Sequence, residues 1–474
     1  MSEQVRDKVI LTVEIKSLNA SILPQKKVEN CYIGKDRVIQ VTDAFIRDIP
    51  KTDLHLHLDG SVRLETLIEL AKQQGVELPA STPEGLREKV FKDTYKDLPE
   101  YLQGFQYTTA VMRIGSAMER IAYELGVDCF KEGIRYIEVR FAPQLHIDPS
   151  AKKSGGDGKE DGDANIDKEN NPLSDCVSAI YYVSKGLKRA SEEWNSREEV
   201  KDGDEPGYGY GIICCAMRMI YKQLSPYYRS LCALHEHEPM RKKVAYASRA
   251  LVASAVFARD ELGLPVVGID MAGAEKGFPA EWNMDAFNYA KKNFMNKTVH
   301  AGEGYGPGSI FQAITDLHAS RIGHGFHLFS WDLAMQQSQS GKTQKEAKQY
   351  VSSLVEWVCD KRITLEVCLT SNLQTMPELK GNVNNHVFGK MVDRQLSVTL
   401  CTDNRLVSNT TIPKEYRLAI DNFGLTLKQL RDITICGFKR SFSPEPYKQK
   451  REYVRKAINY FDAMQPCVSK NIKF

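Results

Sequence analysis

The amino-acid sequence predicts a closed (β/α)8 TIM barrel with an N-terminal extension and a surface insertion. Eight runs have the length and residue types of buried strands, and helical periodicity separates them. Strands joined through helices form a parallel sheet, and eight such units close into a barrel. A doubly wound open sheet is the alternative, but it would need a glycine-rich phosphate turn after its first strand, where this sequence has none.

The first strand lies within Lys51-Thr-Asp-Leu-His-Leu-His-Leu-Asp-Gly60. Polar and apolar residues alternate along it, as expected of a strand with one buried face, and Asp53, His55 and His57 share one side. Two imidazoles two residues apart can point at one metal ion. Apolar residues at helical spacing follow Gly60, so the unit is predicted as strand, tight turn and helix.

The other predicted strands are short runs of mainly apolar residues. They are 134–141, 208–215, 264–270, 297–301, 321–324, 363–368 and 396–401. Helical periodicity occurs in 118–131, 179–194, 244–262, 310–317 and 351–358. The length of 474 residues suits a barrel with insertions, since this fold reaches more than about 400 residues.

Three segments define the expected domain organisation. Residues 1–40 are predicted to be an N-terminal extension, and residues 41–460 the barrel. Residues 151–171 hold no aromatic side chain and are dense in Gly, Asp, Glu and Lys, which predicts a disordered insertion. A calcium loop within it is rejected, because Ile166 and Pro172 stand where the turn glycine and the bidentate glutamate belong.

Composition excludes several classes of partner. A net charge of +3 and a pI of about 8.1 do not indicate nucleic acid or an anionic membrane as a partner. The sequence shows no apolar run long enough for a membrane span and no signal-peptide core near its start. Its 11 cysteines are scattered and are expected to be reduced in a cytoplasmic protein. The oligomeric state is left open.

Chemically active residues recur where the predicted strands end. The fifth strand ends in Thr298-Val-His300-Ala-Gly-Glu303, the sixth in Ile322-Gly-His324-Gly325 and the eighth in Cys401-Thr-Asp403-Asn404. The fourth runs into Asp270-Met-Ala-Gly273-Ala-Glu275. Active sites of TIM barrels form on this rim, and imidazoles with a carboxylate are the ligands of a catalytic zinc ion. Together with the first strand, these ends predict a metal site.

The motifs KTDLHLHLDGS, VHAGE, RIGHG and TDN, in this order and register, resemble the adenosine deaminase family of the amidohydrolase superfamily. The resemblance covers roughly residues 43–438. It implies one zinc ion per chain, held by His55, His57, His300 and Asp403.

The resemblance also implies roles around the purine. Glu303 would protonate the ring, and His324 would orient the attacking hydroxide and, with Asp403, could take its proton. Asp59 would bind the ribose 5′-hydroxyl, and the backbone N–H of Gly273 would reach the purine N3.

Two further features concern substrate contacts. Asn404 stands where the family often has a second aspartate, and an amide can donate to the purine N7 without needing an extra proton. Leu98, Tyr101 and Phe105 are spaced as one face of a helix opened by Pro99. The resemblance favours an apolar lid over the purine, whereas spacing alone fits an ordinary core-facing stripe equally well.

The implied reaction is hydrolytic deamination of adenosine and 2′-deoxyadenosine to inosine or 2′-deoxyinosine plus ammonia, a step of purine salvage. A sibling deaminase of AMP, adenine or a modified adenosine is the nearest alternative.

A two-metal amidohydrolase would need a bridging lysine at the end of the fourth strand, where Asp270-Met-Ala-Gly273 stands. A non-enzymatic binding protein would not need Glu303 beside a full ligand set. The cytidine-deaminase zinc motifs His-x-Glu and Pro-Cys-x-x-Cys do not occur.

Overall fold

A computed structural model of the chain describes residues 31–33, 39–96, 98–151, 172–337 and 341–464. The strands in these ranges are β1 Cys31–Ile33, β2 Ile39–Val41, β3 Lys51–His57, β4 Ile134–Phe141, β5 Gly209–Met217, β6 Val266–Ala272, β7 Asn296–Ala301, β8 Arg321–His324, β9 Thr364–Val367 and β10 Val398–Leu400. β1 and β2 pair as an antiparallel ribbon, and β3 to β10 form a single parallel sheet in the order of the sequence.

The helices of the described residues surround this sheet. They are α1 Asp43–Asp48, α2 Leu64–Gln74, α3 Pro83–Lys89, α4 Leu98–Leu102, α5 Phe105–Val111, α6 Gly115–Lys131, α7 Cys176–Asn195, α8 Glu198–Lys201, α9 Pro226–Leu234, α10 Met240–Asp260, α11 Met284–Lys292, α12 Pro307–Thr315, α13 Trp331–Gln336, α14 Gln344–Asp360, α15 Leu369–Thr375, α16 Phe388–Asp393, α17 Ile412–Phe423, α18 Leu427–Arg440 and α19 Tyr447–Met464.

Backbone hydrogen bonds join the two ends of the sheet. The N–H of Asp403 donates to the carbonyl of His55, and the N–H of His57 donates to the carbonyl of Asp403, each over 2.8 Å. The sheet is therefore a closed barrel, and the predicted (β/α)8 fold is confirmed. The same bonds place Asp403, from the far end of the chain, beside the His-x-His pair.

The prediction that β3 has a single buried face is wrong. Six of its seven residues are buried, and the seventh, His57, is partly exposed. Polar residues line the barrel interior, and the leucines point outward against helices, so neither face meets solvent. Close packing of α18 against this strand shows the effect, because a Cβ atom on Gly437 would lie 1.9 Å from the hydroxyl of Thr52.

Two of the predicted segments fall largely outside the described residues. These are the extension, apart from 31–33 and 39–40, and the insertion, apart from Ala151. The domain boundaries therefore stay predictions.

Two findings bear on the composition-based expectations. No helix in the described part of the chain is both long and apolar enough to cross a membrane. Nine cysteines of the described residues are free thiols, seven of them buried.

Candidate active site

The carboxyl ends of the barrel strands bring the predicted residues together. His55 and His57 end β3, His300 lies near the end of β7, His324 ends β8, and Asp403 follows β10. His324 and Asp403 both adopt left-handed backbone with φ of 61°, which costs free energy for residues other than glycine. Such strain at two neighbouring positions is typical of a functional site.

Four ligand atoms converge at the separations of a tetrahedral metal site. His57 Nε2 lies 3.1 Å from His300 Nε2, and Asp403 Oδ1 lies 3.4 Å from His57 Nε2 and 3.5 Å from His55 Nε2. Ligand atoms about 2.0–2.1 Å from a tetrahedral ion lie about 3.3–3.4 Å apart. His55 Nε2 is also buried without a hydrogen-bond partner in the structure, as expected of an atom reserved for a metal ion. These residues fit a zinc ion.

Carboxylates hold two of these imidazoles from behind. His55 Nδ1 lies 2.8 Å from Glu366, and His300 Nδ1 lies 2.9 Å from Asp270. Each carboxylate can accept a proton-bearing Nδ1–H, which leaves the Nε2 lone pair facing the centre. Metal-ligating histidines almost always have such a partner on the second nitrogen.

A fifth side chain competes for the same centre. Atoms of His55, His300, His324 and Asp403 lie within 4.8 Å of one another, so distance alone would also allow His324 as a ligand in place of His57. The imidazole of His324 is buried, and its Nε2 lies 3.6 Å from Glu303 Oε2.

Glu303 lies largely buried beside His324, in surroundings that favour its protonated form. Its side chain is 14% exposed, and burial, reinforced by the charges of Asp403 and Glu275, raises its pKa to about 8. The carboxylate of Glu275 accepts from the backbone N–H groups of Gly302, Glu303 and Gly304 over 2.7–2.9 Å. This contact fixes the turn that carries Glu303.

Asp59 and His146 form a second polar spot at this rim. Asp59 Oδ2 lies 3.9 Å from His146 Nε2, and both side chains are buried. Asp59 Oδ1 and both ring nitrogens of His146 have no hydrogen-bond partner in the structure. Burial raises the pKa of Asp59 to about 7 and lowers that of His146 to about 3. The pair therefore has unused hydrogen-bonding capacity.

Comparison with known proteins decides the family. The family model described as adenosine deaminase matches residues 50–158 and 228–457, which contain the histidines, Asp403, Glu303 and Asp59. The chain belongs to the adenosine deaminase family. It is an enzyme of the hydrolases that act on carbon–nitrogen bonds, and these two expectations are confirmed.

Curated relatives in the adenosine deaminase family match most of the chain. A protein named adenosine deaminase from Vibrio atlanticus (strain LGP32) is 31% identical over 402 residues, covering 85% of this chain and 96% of the relative. A probable adenosine deaminase from Dictyostelium discoideum is 29% identical over 425 residues and covers 89% of this chain. The matched region spans 44% of the length of the Dictyostelium protein.

Solved structures share the fold at lower identity. An amidohydrolase from Burkhoderia ambifaria with bound Zn has a TM-score of 0.65 at 18% identity, covering 90% of this chain and 94% of that chain. The N6-methyl-AMP deaminase from Arabidopsis thaliana has a TM-score of 0.59 at 23% identity, covering 89% and 98%. At these identities the likeness shows the fold alone.

Two further predicted substrate contacts, Gly273 and Asn404, have different surroundings. Gly273 follows β6 with φ of 102°, a conformation that favours glycine. Asn404 is buried and donates to the Tyr101 hydroxyl over 2.8 Å, so one of its two amide N–H bonds is already used. A Cβ atom on Gly60 would lie 1.9 Å from Asn404 Oδ1, which explains the glycine there.

The predicted lid helix is wrong as a single helix. It is divided into α4, with Leu98 and Tyr101, and α5, which begins at Phe105. The break coincides with Gly104, where a Cβ atom would lie 2.8 Å from the Phe91 ring. Tyr101 is buried, Phe105 is partly buried against the core, and the side chain of Leu98 lies outside the described residues. A lid role for these residues stays a prediction.

Several residues that support the site were given no role from the sequence, although Asp270 and Glu275 were noted at a strand end. They are Arg140, Asp270, Glu275, Glu366, Ser371 and Asn372. A signal existed for two of them, since Arg140 and Glu366 are charged residues within predicted strands. Inward-facing charges in a barrel need partners, and these two are paired at 2.9 Å.

Proposed function

We propose that the chain catalyses the zinc-dependent hydrolytic deamination of adenosine and 2′-deoxyadenosine, giving the 6-oxo nucleoside and ammonia in purine salvage. The observation that carries this proposal is the buried carboxyl group of Glu303, 3.6 Å from His324 Nε2, beside a tetrahedral set of ligand atoms. Displacing an amine from a purine requires both a nucleophile at neutral pH and a proton for the ring nitrogen. The site offers residues for both tasks.

His55, His57, His300 and Asp403 would hold one zinc ion. When bound, zinc lowers the pKa of a coordinated water to about 7 and so supplies the nucleophile. Glu303 delivers its proton to the purine N1. Protonation makes C6 more electrophilic and neutralises the charge that develops on N1 as oxygen adds at C6. The proton lost by the water passes to a neighbouring base, which returns it to the amino group on C6. The C6–N bond then breaks to release ammonia, and the remaining hydroxyl proton passes to Glu303, which leaves the 6-oxo group.

Asp59 supports a nucleoside as the substrate. Its buried carboxyl group, with Oδ1 unpaired, can form a hydrogen bond with a ribose 5′-hydroxyl, worth about 1.5–3 kcal/mol when charged. A 5′-phosphate would meet the same carboxyl group. The titratable neighbour, His146, is neutral because of its lowered pKa and would not offset the phosphate charge. Lys92, which could attract a phosphate from the lid region, already pairs with Glu100 at 2.8 Å.

Substrate selection tests the proposal. The zinc-loaded protein is offered adenosine, 2′-deoxyadenosine, AMP, N6-methyl-AMP and adenine in parallel, and kcat/KM is measured by absorbance. We expect both nucleosides to exceed AMP and adenine by at least about tenfold at a pH just above 7, where Asp59 is mostly ionised and one charge-assisted hydrogen bond exceeds about 1.4 kcal/mol. Asp59→Ala should lower kcat/KM for adenosine and narrow its ratio to AMP. Equal or better turnover of a nucleotide would overturn the assignment in favour of a sibling deaminase.

Metal analysis tests the ligand set separately. We expect about one zinc ion per chain and loss of metal in the His55→Ala/His57→Ala double variant. A stoichiometry near two, or full zinc retention in the double variant, would contradict the proposed ligands.

We also propose a cytoplasmic location, supported by the free, mostly buried thiols of the described residues.

A further inference from the structure

Three buried side chains form a hydrogen-bonded row behind the active site. The backbone N–H of Phe388 donates to His386 Nδ1 over 2.9 Å. His386 Nε2 lies 3.1 Å from Asn372 Oδ1, and Asn372 Nδ2 lies 3.1 Å from His324 Nδ1. His324, Asn372 and His386 are 1%, 0% and 4% exposed, so water does not compete for these bonds.

We infer that Asn372 and His386 are positioning residues that fix His324 as the tautomer with its proton on Nε2. This inference deepens the proposed function. It rests on that function only for the role given to the Nε2 proton of His324 in catalysis. The row itself is a property of the fold.

The direction of every bond in the row follows from its first member. A backbone N–H can only donate, so His386 Nδ1 must hold a lone pair and its proton must be on Nε2. That Nε2–H donates to Asn372, so the amide oxygen faces His386 and the amide nitrogen faces His324. An amide N–H also only donates, so His324 Nδ1 is the acceptor. The remaining proton of a neutral His324 is therefore on Nε2, which faces Glu303.

The assigned tautomer decides which histidine completes the metal site. A nitrogen that bears a proton cannot ligate a metal ion, and the other nitrogen of His324 is occupied by Asn372. His324 is therefore excluded as a ligand although it lies within the cluster, and His57 takes the fourth position.

The tautomer also assigns a chemical role to His324. An Nε2–H group donates a hydrogen bond and can orient the oxygen of the attacking water, but a neutral imidazole in this form cannot take the proton of that water through Nε2. Of the two groups that the sequence analysis considered for this proton, the carboxylate of Asp403 remains. Ser371 donates to Asp403 Oδ2 over 2.7 Å, so that carboxylate is itself held in place.

Nitrogen-15 NMR tests the tautomer without reference to turnover. The zinc-loaded full chain is labelled at histidine, and two-bond nitrogen–proton correlations distinguish Nε2–H, Nδ1–H and doubly protonated rings. The His324 signals are identified by their loss in His324→Ala. We expect Nε2–H for His324 and for His386. A neutral Nδ1–H or a doubly protonated His324 at neutral pH would overturn the inference, whichever substrate the enzyme accepts.

A matched pair of variants tests the relay. In His386→Gln the amide N–H can still donate to Asn372. The side chain of His386→Met has similar size but no donor, so the side-chain amide of Asn372 can rotate by about 180° and exchange its oxygen and nitrogen. We expect kcat to fall about tenfold or more in the methionine variant, the scale for partners of site residues, and to stay within about threefold in the glutamine variant. Zinc content and KM should change little in either.

The NMR spectrum of His386→Met should show His324 as a mixture of tautomers. Equal kcat in the two folded, zinc-loaded variants would show that the row does not act through His324. If neither variant folds, the wild-type spectrum alone still decides the inference. Failure of the enzyme to deaminate adenosine would refute the proposed function and leave the spectroscopic result standing.

Discussion

Glu303 shows how surroundings shift the pKa of an ordinary side chain. A free glutamic acid has a pKa of about 4.3 and would be ionised at pH 7. Here burial comes first and the carboxylates of Asp403 and Glu275 add to it, raising the pKa of Glu303 to about 8. The acid therefore keeps its proton in the range where the enzyme would work.

The prediction at this residue concerns both rate and pH. Activity should be lost as the pH rises through about 8, because the raised pKa leaves Glu303 protonated only below it. Glu303→Gln should keep zinc and substrate binding while lowering kcat at least about 10²-fold. The activity that remains in Glu303→Gln should not decline in this way as the pH rises through about 8. Near-wild-type kcat in a zinc-loaded variant would mean that another group protonates N1.

The convergence of the candidate site residues was predicted from the sequence, because it depends on residue type and strand end. His55, His57, His300, Glu303 and Asp403 meet at one rim because parallel strands of a barrel end on the same side. Their supporting partners were not predicted. The pairing of His324 with Asn372, for example, depends on the path of the chain after β9 and on rotamers, for which no sequence motif exists.

At the scale of single elements, the strands were predicted better than the short helices. Strands such as β4, residues 134–141 in both prediction and structure, are rich in β-branched and aromatic residues, which is a strong strand signal even where charged residues interrupt the run. The division between α4 and α5 was missed. It falls beside Gly104, which packs closely on Phe91, and a tertiary contact of this kind leaves no periodic signal in the sequence. The doubly buried β3 was misjudged because alternating polarity normally indicates a solvated face, whereas here the polar face lines the barrel.

The packing of α18 on β3 gives a prediction at this scale. Gly437→Ala would place a methyl group 1.9 Å from the Thr52 hydroxyl, between the helix and the strand that carries His55 and His57. We expect the free energy of unfolding to fall by about 1–3 kcal/mol, the usual cost of overpacking a core, as measured by denaturant titration.

The matched control is Gly389→Ala in α16, where the nearest atom to the new methyl group is a Phe423 ring carbon at 3.3 Å. Higher helix propensity of alanine should leave this variant neutral or slightly more stable. Equal stability of the two variants would show that α18 can move away from the barrel without cost.

Across the whole molecule, a chain of buried charges runs through the barrel and ends at the metal site. Arg321 contacts Glu138 and also Glu366, the latter at 2.6 Å. Arg140 bridges Glu366 and Asp270, with a distance of 2.9 Å to each carboxylate. Asp270 and Glu366 in turn hold His300 and His55. This chain holds three carboxylates and two guanidinium groups, an arrangement suited to a cation at the rim. We therefore expect stability and metal binding to be coupled through the barrel interior.

Glu366 is the residue where this coupling can be measured. Although burial opposes ionisation, Arg140 and Arg321 hold the pKa of Glu366 well below its ordinary value. Glu366→Gln preserves the shape of the side chain but removes its negative charge. Arg140, Arg321 and His55 then each lose a carboxylate partner. We expect the free energy of unfolding to fall by roughly 3–5 kcal/mol and zinc to bind about 10–100-fold more weakly.

The pH dependence of this loss has a definite sign. A carboxylate with a lowered pKa in the folded state stabilises the protein above its unfolded-state pKa, about 4.3, and that contribution disappears as the pH falls towards the folded value. The stability difference between wild type and Glu366→Gln should therefore be constant near neutral pH and shrink below about pH 4. Glu356→Gln is the control, because this side chain is 64% exposed in a surface pair with Arg394. An exposed pair contributes about 0–1 kcal/mol, so a Glu366→Gln variant no less stable than this control would refute the coupling.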